Sequence, residues 1–582
     1  MILFVPSAAA KTRVSRDARS FVASRKTADP RTEKCSLLVN LDKQPTVIHR
    51  PDGSTINFTY DSAGRLSTTT YPSVNGNVTV TRTYSPTTGK ITGVTTSDGQ
   101  SVAYGYDGSL PTSTTWSGNV AGSVSRTFNN DFRVVSESVN GANSVAFGYD
   151  NDGLLTSVDG LSLNRDPVNG LISDTTLGSV TDHRTYNDLG LLATYEAKFG
   201  TTSLYSMAYV RDALGRIEQK TETVQGATIV WNYTYDEAGQ LWQVMQNGVL
   251  TATYLYDANG NRLSKTTTSG AESGTYDAQD RLLTYGKWSY TYTANGDLLT
   301  KTDTSNGQVT NYSYDAQGNL RHVGLPDGRS IDYVIDSENR RVAKKINGAV
   351  VKKWIYKDDL KPVAEFDGSG TLLARYLDGV TVKGSTSYRV VKDHLGTPRL
   401  LVNSSTGAIA QRLDLDEWGQ VTADSSAGFQ VFGFAGGIYD PDTGLVRFGA
   451  RDYDPVAGRW TAKDPIRFEG GQPNIYVYVG NSPLNMTDPT GKDYALDCLL
   501  KAVKGLATCA RALPRGAGPA GAACEEVYRD FITTCIIPSA ETMGDRAAES
   551  AMKCGHEPDQ WTSTSTQGST STSTSTSTGT GN

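Results

Sequence analysis

Between about residue 50 and residue 350, short runs of alternating β-branched, aromatic and polar residues are separated by turn-forming segments at a nearly constant interval. Many of these runs end at a tyrosine, which is usually followed by Asp or Asn, two variable residues and Gly. The best copies of this Tyr-Asp-x-x-Gly motif are residues 60–64, 149–153, 235–239, 256–260 and 314–318, and looser copies start at Tyr186, Tyr276 and Tyr292. Such a regular period, 20 to 22 residues in the best-preserved stretches, indicates a stacked repeat with one β-hairpin in each period.

The polar segment has the composition of a hairpin turn. An Asp side chain can accept hydrogen bonds from backbone amides two residues on, and Gly adopts the positive φ that other residues avoid. The motif lacks the dense oxygen ligation that calcium requires, so we interpret its Asp as a turn former. The Tyr and Leu beside each turn are expected to pack against their equivalents one hairpin along. Residues 46–350 are therefore predicted to be consecutive antiparallel hairpins, with every Asp-x-x-Gly at a turn and no helix longer than two turns.

Composition favours a sheet with both faces exposed to solvent. Only 37% of the 582 residues are hydrophobic, which is few for several ordinary cores, and a solenoid or shell with a polar concave face needs fewer. The net charge of −6 argues against nucleic acid as a partner of the repeats. No run reaches the ~18 apolar residues of a membrane span. Five scattered histidines and the lack of a phosphate-binding loop motif predict neither a metal nor a cofactor.

Composition also divides the chain into five segments. Residues 1–45 are predicted to be an irregular leader without a recognisable signal peptide. The hairpin repeats fill residues 46–350, and a non-repeating, β-rich block occupies residues 351–491. A helical hairpin with cysteines is expected at residues 492–561. Residues 562–582 are almost entirely Ser, Thr and Gly and are predicted to be disordered.

The β-rich block contains several strings that are sharper than the repeats. They are VKDHLGTPR at 391–399, YDPDTGL at 439–445, RDYDPVAGRW at 451–460, DPIRFEGG at 464–471, NIYVYVGNSP at 474–483 and DPTG at 488–491. Together they closely resemble the RHS-repeat-associated core domain of bacterial RHS proteins, and the tyrosine motifs resemble the YD repeats that precede that core. The resemblance covers roughly residues 46–491.

The resemblance implies a mainly β fold. RHS and YD-repeat proteins, which include polymorphic toxins, the C component of insecticidal toxin complexes and the teneurins, wind their hairpins into a hollow shell. We therefore expect a hairpin spiral forming a partial or complete shell, capped by the RHS core, with a small α-helical C-terminal tail. In bacterial members a variable C-terminal domain, often a toxin, follows the last Asp-Pro-x-Gly.

The resemblance also implies a self-cleavage site. In many members the core cuts the chain just after the last Asp-Pro-x-Gly, with two aspartates in an aspartyl-protease-like arrangement. The matching residues here are Asp464 and Asp488, and the cut falls between Gly491 and Lys492. Two carboxylates held close together do not both ionise easily, so one can act as an acid and the other as a base towards water.

The residues alone leave a simpler interpretation open, in which each Asp-Pro pair only shapes a turn. The sequence departs from the family at Arg467, where many members have Gly, and at Lys492, where a hydrophobic residue is common. Arg451, Arg459 and Arg467 are candidates for stabilising a carboxylate or for surface ion pairs. His394 lies in a turn sequence and is interpreted as structural. Autoproteolysis is the only enzymatic activity indicated, and no motif predicts multiple turnover.

The tail contains two pairs of cysteines at helical spacing. Cys498 and Cys509 are 11 residues apart, as are Cys524 and Cys535, so each pair lies on one face of a helix after about three turns. The two pairs are symmetric about a point between Gly516 and Ala517, in a turn sequence. An antiparallel helical hairpin therefore places Cys498 opposite Cys535 and Cys509 opposite Cys524, which predicts two disulfides.

Disulfides in the tail would indicate an oxidising compartment, consistent with export. The alternative is a cytosolic helical pair with buried free thiols. Cys554 is left over, either free or paired with Cys35 or with another chain.

Three hypotheses for function follow. The first is an exported, secreted or cell-surface RHS protein whose shell encloses its own C-terminal segment as cargo and releases it by self-cleavage for intercellular competition, with secretion machinery and an immunity protein as partners. The second is a non-toxic surface protein that binds carbohydrate or a neighbouring cell. The third is a truncated, inactive RHS copy.

Overall fold

The computed structural model describes residues 21–23 and 36–492, and most of these residues form one antiparallel meander. Its sheet has 39 strands, each paired with the strand that follows it in the chain. The first twenty are β1 (Phe21–Ala23), β2 (Ser36–Val39), β3 (Pro45–His49), β4 (Thr55–Tyr60), β5 (Leu66–Ser73), β6 (Gly76–Tyr84), β7 (Ile91–Thr96), β8 (Gln100–Asp107), β9 (Leu110–Gly118), β10 (Gly122–Phe128), β11 (Val134–Val139), β12 (Ala142–Tyr149), β13 (Leu155–Val158), β14 (Leu161–Arg165), β15 (Ile172–Leu177), β16 (Val180–Tyr186), β17 (Leu192–Phe199), β18 (Thr202–Arg211), β19 (Ile217–Val224) and β20 (Ala227–Tyr235).

The second half of the meander continues the same pattern. Its strands are β21 (Leu241–Gln246), β22 (Val249–Tyr256), β23 (Arg262–Thr267), β24 (Gly270–Tyr276), β25 (Leu282–Tyr285), β26 (Trp288–Tyr292), β27 (Leu298–Asp303), β28 (Gln308–Tyr314), β29 (Leu320–Gly324), β30 (Ser330–Ile335), β31 (Arg341–Ile346), β32 (Ala349–Tyr356), β33 (Pro362–Asp367), β34 (Leu372–Leu377), β35 (Val380–Lys383), β36 (Thr386–Lys392), β37 (Pro398–Asn403), β38 (Ile409–Leu415) and β39 (Val421–Asp424). The predicted hairpin array is confirmed, and residues 46–350 contain no helix.

The predicted Asp-x-x-Gly turns are built by the aspartate itself. In the turn between β22 and β23, Asp257 Oδ1 accepts the backbone N–H groups of Asn259 (2.9 Å) and Asn261 (2.8 Å). Gly260 has a φ of +77°, which the missing Cβ allows. The same pair of hydrogen bonds to one carboxylate oxygen recurs at Asp61, Asp212, Asp277, Asp315, Asp336, Asp393 and Asp416.

The tyrosine before each turn links that turn to the preceding one. The Tyr256 hydroxyl donates to the backbone carbonyl of Leu241 (2.7 Å), the residue that opens β21 after the preceding turn. Seven more tyrosines make the same bond at 2.7–2.9 Å: Tyr60 to Pro45, Tyr84 to Leu66, Tyr149 to Val134, Tyr186 to Ile172, Tyr235 to Ile217, Tyr276 to Arg262 and Tyr356 to Arg341. The sequence predicts packing between neighbouring hairpins, and the structure adds this polar link.

Threonines hold the exposed parts of the sheet together. Hydroxyls that face each other across two strands form hydrogen bonds of 2.6–2.9 Å in the pairs Thr59–Thr68, Thr70–Thr79, Thr185–Thr194, Thr275–Thr284 and Thr291–Thr300. Cross-strand Thr pairs stabilise a sheet without requiring burial. They allow a long sheet to form from a chain with few apolar residues.

The sheet curls into a spiral whose successive windings meet along a seam. The Trp116 indole donates to Asp336 Oδ2 (3.1 Å) across 220 residues of sequence. The Asn295 amide donates to Asp52 Oδ2 (2.7 Å) across 243 residues. Buried apolar side chains collect at this seam, where Trp116 from the first winding packs in one cluster with Trp354 from the second.

After β39 the chain leaves the spiral and forms a cap, residues 425–492. The cap has a second sheet, β40 (Ile438–Asp440), β41 (Leu445–Phe448), β42 (Arg451–Asp454) and β43 (Arg459–Trp460), and short 3₁₀ helices at Phe434–Gly436, Arg467–Gly470 and Val479–Asn481. Its core is a cluster of buried aromatic rings, among them Phe448, Tyr453, Trp460 and Tyr478. Within the residues that the structure describes, no helix is long and apolar enough to cross a bilayer.

Buried ion pairs fasten the cap to the spiral. Asp452 accepts from Arg341 of β31 (2.8 Å) and from Arg447 of the cap (3.0 Å), and these side chains are 0–2% exposed. Asp454 pairs with Lys301 of β27 (2.8 Å). Because charges removed from water are stable only when they are paired and hydrogen-bonded, these contacts fix the cap on the shell.

Two of the sequence-based boundaries differ from the observed elements. Strands β1 and β2 lie within residues 1–45, which were expected to be irregular. The meander also continues past residue 350 to Asp424 without a break. The turns at Asp393 and Asp416 keep the regular hydrogen bonds but follow Lys392 and Leu415 in place of tyrosine, so the full motif stops before the sheet does. The predicted cysteine hairpin and the Ser/Thr/Gly tail, with Cys35, Cys498, Cys509, Cys524, Cys535 and Cys554, lie outside the described residues.

We expect Tyr256→Phe to lower the free energy of unfolding by about 1 kcal/mol, because it removes the hydroxyl that bonds to Leu241. The matched control is Tyr290→Phe. The Tyr290 ring is buried, and its hydroxyl makes no hydrogen bond within the described residues. Urea unfolding of the two variants should separate them, and equal stabilities would show that the hydroxyl link contributes nothing.

Asp452→Asn is expected to cost about 3–5 kcal/mol, because it leaves Arg341 and Arg447 buried without their counter-charge. The free energy of the first urea-induced transition measures this. Asp327→Asn, at a carboxylate 52% exposed, is the control and should stay within about 0.5 kcal/mol of the wild type. A similar small effect at Asp452 would contradict the role given to this ion pair.

Candidate functional site

The cap brings Asp464 and Asp488 together from two separate loops. Asp464 follows β43 and is fixed by its own backbone N–H, which donates to Ile475 O (3.1 Å). Asp464 Oδ1 accepts the N–H of Ile466 (2.9 Å), which shapes the turn at the Asp-Pro pair. Asp488 begins the loop that ends at Lys492, and its Oδ1 accepts the Thr490 hydroxyl (3.0 Å).

Arg451, at the start of β42, connects the two carboxylates. Its Nη2 lies 2.7 Å from Asp464 Oδ2 and 3.3 Å from Asp488 Oδ2. The two Oδ2 atoms are therefore no farther apart than the sum of those distances, a separation at which both can contact one water. The guanidinium is held in place by Ile475 O (3.1 Å) and by the Trp460 ring, 4.1 Å below it.

The three charged side chains are shielded from solvent. Arg451 and Asp488 are 4% exposed and Asp464 is 7% exposed. Beside them is a cavity of about 10 Å³, which is roughly the space that a single water needs. Burial, together with the nearby Asp488 carboxylate, raises the pKa of Tyr478 on the other side of the site.

The predicted junction between Gly491 and Lys492 lies in the same network. Arg451 Nε donates to the Gly491 carbonyl oxygen (2.5 Å), and the Lys492 N–H donates to Asp488 Oδ1 (3.2 Å). One end of this peptide bond is thus held by Asp488 and the other by Arg451, the arginine that joins the two carboxylates. A donor on a carbonyl oxygen stabilises the negative charge that develops there when water attacks.

Only part of the arginine set contributes to this site. Arg451 is its centre, and Arg467 lines the cavity. Arg459 points elsewhere: its guanidinium donates to Asp280 O (2.5 Å) and stacks near Tyr276 and Tyr476, so it fastens the cap to the spiral.

Thr490 and Gly470 are site residues that the sequence did not single out. The Thr490 hydroxyl lies 3.2 Å from the Lys492 N–H as well as bonding to Asp488. A Cβ placed on Gly470 would lie 2.6 Å from Lys492 O and 3.1 Å from Asp464 Oδ2. Gly470 therefore leaves room for the junction. Its place in the DPIRFEGG string was the sequence signal for it, as the DPTG string was for Thr490.

His394 is held as a structural residue. Its Nδ1 lies 2.7 Å from the Tyr209 hydroxyl and its Nε2 lies 2.7 Å from Leu484 O. Burial lowers the pKa of His394, so the ring is a neutral bridge that holds the segment leading to Asp488 against the spiral. Among the described residues, no group of three or more His, Cys, Asp or Glu side chains could hold a metal ion.

Comparison with known proteins assigns the chain to a family. The model of the teneurin YD-shell family matches residues 13–479, and the chain belongs to that family. It is 27% identical over 356 residues to Teneurin-3 of Mus musculus, which covers 57% of this chain and 12% of that protein. It is 25% identical over 270 residues to the tRNA nuclease WapA of Bacillus subtilis (strain 168), covering 44% of this chain and 12% of WapA.

A solved structure shows the same fold. The crystal structure of TcdB2-TccC3 without its hypervariable C-terminal region superimposes with a TM-score of 0.60 at 15% identity, covering 79% of this chain and 27% of that chain. This likeness confirms the predicted RHS/YD shell. The chain spans only about an eighth of the curated relatives named above.

We expect the stability of the protein to fall as the pH drops below about 6.5, partly because of His394. An unfolded histidine binds its proton near its ordinary pKa of about 6.5, whereas burial lowers the pKa of His394 in the folded state. The unfolded state therefore binds more protons in this range, with a limiting slope of about 1.4 kcal/mol per pH unit.

Urea unfolding of the wild type and of His394→Gln between pH 8 and pH 5 measures this contribution. The difference in unfolding free energy between them should shrink as the pH falls. A difference that stays constant with pH would show that His394 does not titrate with unfolding.

Proposed function

We propose that this chain is the shell and cap of an exported RHS-type protein that cuts itself after Gly491 and encloses the segment that begins at Lys492. One observation carries the proposal. Arg451 contacts both buried carboxylates and the Gly491 carbonyl oxygen at the same time. A surface ion pair or a simple turn does not need this arrangement.

In the proposed reaction a water molecule in the small cavity attacks the Gly491 carbonyl carbon. Asp464 takes a proton from the water, and Arg451 Nε stabilises the oxygen as it becomes negative. Asp488 starts the reaction protonated and delivers that proton to the Lys492 nitrogen as the C–N bond breaks, while Asp464 keeps the proton taken from the water. The immediate products are a carboxylic acid at Gly491 and a free α-amine at Lys492, which then ionise, so water is the only other reactant.

The location of the junction supports a cargo role for the segment that follows it. The junction lies within the cap and is joined to Asp488 through the Lys492 N–H. The related structure is described as one that lacks a hypervariable C-terminal region, and WapA is named as a tRNA nuclease. By analogy, the segment from Lys492 is a variable effector in intercellular competition, with secretion machinery and an immunity protein as partners and a secreted or cell-surface location.

We expect the purified full-length chain to separate into two fragments at residues 491 and 492. Asp464→Asn and Asp488→Asn should each slow the cut by at least about 10²-fold, the usual contribution of a general acid or base. Intact-mass spectrometry over time measures the fraction cut. Asp327→Asn, at an exposed carboxylate, is the control and should cut at the wild-type rate.

Gly470→Ala tests the geometry without altering either carboxylate. The added Cβ displaces the Lys492 carbonyl, so cleavage should slow although Asp464 and Asp488 are intact. Gly324→Ala is the matched control, since the nearest atom to a Cβ there is 3.8 Å away.

A wild-type chain that stays whole after prolonged incubation would refute the cleavage. If the chain is cut, gel filtration of the products tests the cargo role: the fragment from Lys492 should elute with the shell and resist added protease. A fragment that elutes alone would show that the chain cuts itself but does not enclose the segment from Lys492.

A further inference from the structure

A second, larger cavity lies at the seam of the spiral, away from the carboxylate pair. Its volume is about 190 Å³. One side of the cavity is formed by the first winding, from the turn that follows β3 and the end of β5. The other side is formed by two turns of the second winding. The lining includes Arg50, Asp52, Pro72, Asp297 and Tyr314.

The turn that contributes Asp297 has an altered charge pattern. In the regular turns the first residue is Asp and the fifth is often Arg, and the two form an ion pair, as in Asp212–Arg216 (2.7 Å). In the turn at 293–297 the first residue is Thr293 and the fifth is Asp297. The basic partner within the turn is therefore missing, and an acidic side chain occupies its place.

Asp297 has weak compensation for its burial. Its side chain is 10% exposed, and Arg50 Nη2 lies 4.0 Å from Oδ2. Lys463 of the cap adds a second positive charge nearby. The Thr293 hydroxyl donates to Oδ2 over a long 3.4 Å. Burial raises the pKa of Asp297 to about 6. A buried carboxylate normally has close hydrogen-bonded partners, so the cavity holds one that is undersatisfied.

The rest of the lining combines apolar side chains with an aromatic ring. Pro72, Val74 and Ala316 supply apolar surface. Tyr314 contributes the ring, and its hydroxyl lies against Thr461 of the cap. An aromatic ring and a carboxylate side by side are the groups that bind an ammonium ion.

We propose that the seam cavity binds a small aliphatic amine, with its ammonium group on Asp297 and its alkyl chain on Pro72 and Val74. The charge on the lining fits this ligand, because the lining residues comprise one cation, Arg50, and three carboxylates, Asp52, Asp297 and Asp315. Of these carboxylates, Asp315 is also paired with Arg321 (3.4 Å). A cavity of this volume accommodates a chain of a few heavy atoms. The proposal is independent of self-cleavage.

Calorimetric titration of the full-length chain with n-propylammonium chloride tests the site. We expect saturable binding by the wild type and at least a tenfold loss of affinity in Asp297→Asn, an isosteric change. Asp327→Asn is the control for a carboxylate outside the cavity. n-Propanol, which has the same shape without the charge, should not bind.

The pH dependence provides a second measurement. Four charged groups face Asp297: Arg50 and Asp52 from the first winding, Asp315 from the next turn, and Lys463 from the cap. Since the amine binds the ionised carboxylate, its affinity should be constant above pH 7 and fall by about tenfold per unit below pH 6.

Three outcomes would overturn the proposal. They are the absence of heat with the amine at any pH, equal affinity in Asp297→Asn, and equal binding of n-propanol. An amine that raises the melting temperature of the wild type but leaves that of Asp297→Asn unchanged would support it without relying on calorimetry.

Discussion

The structure depends on hydrogen bonds to aspartates whose two carboxylate oxygens have different partners. In each regular turn, Oδ1 accepts two backbone amides and thereby closes the hairpin, as at Asp212. Oδ2 stays available for a cation, such as Arg216. Because the turn is formed by a side chain within a few residues, the repeat needs little apolar surface to define its shape.

The same division explains the cap. Asp454 uses Oδ1 for the N–H of Val456 (3.0 Å) and Oδ2 for Lys301 (2.8 Å), so one residue both turns the chain and fastens it to the shell. Asp464 uses Oδ1 for its turn and Oδ2 for Arg451. An aspartate of an Asp-Pro pair can therefore shape a turn with one carboxylate oxygen and take part in the carboxylate pair with the other. The two interpretations are compatible. A fold that already builds turns from aspartate needs only a nearby arginine and a second aspartate to bring two buried carboxylates together.

The sequence was informative where the determining contacts are local. The turn at Asp257 is readable because its donors lie two and four residues away. The spiral seam is not, since Trp116 and Asp336 are 220 residues apart and neither has a distinctive neighbour. The resemblance picked out Asp464 and Asp488, but it did not decide among Arg451, Arg459 and Arg467. That choice depends on which strand of the cap faces inward, and only the tertiary packing determines it. The repeat boundary shifts beyond residue 350 because the aspartate turns at 393 and 416 persist without the tyrosine that makes the motif readable in the sequence.

The sequence distance across the seam has a consequence for synthesis. Each hairpin pairs with the one before it, so the meander can form as the chain leaves the ribosome. The partner of Trp116 is 220 residues away and that of Asp52 is 243 residues away, which at 5–20 residues per second is a delay of about 10–50 s. During that interval the first winding has an open edge with an unburied tryptophan. Ribosomes that follow one another closely on a single messenger RNA would hold such incomplete first windings side by side. The speed at which the second winding is translated then governs whether a first winding packs against its own chain or against a neighbouring chain.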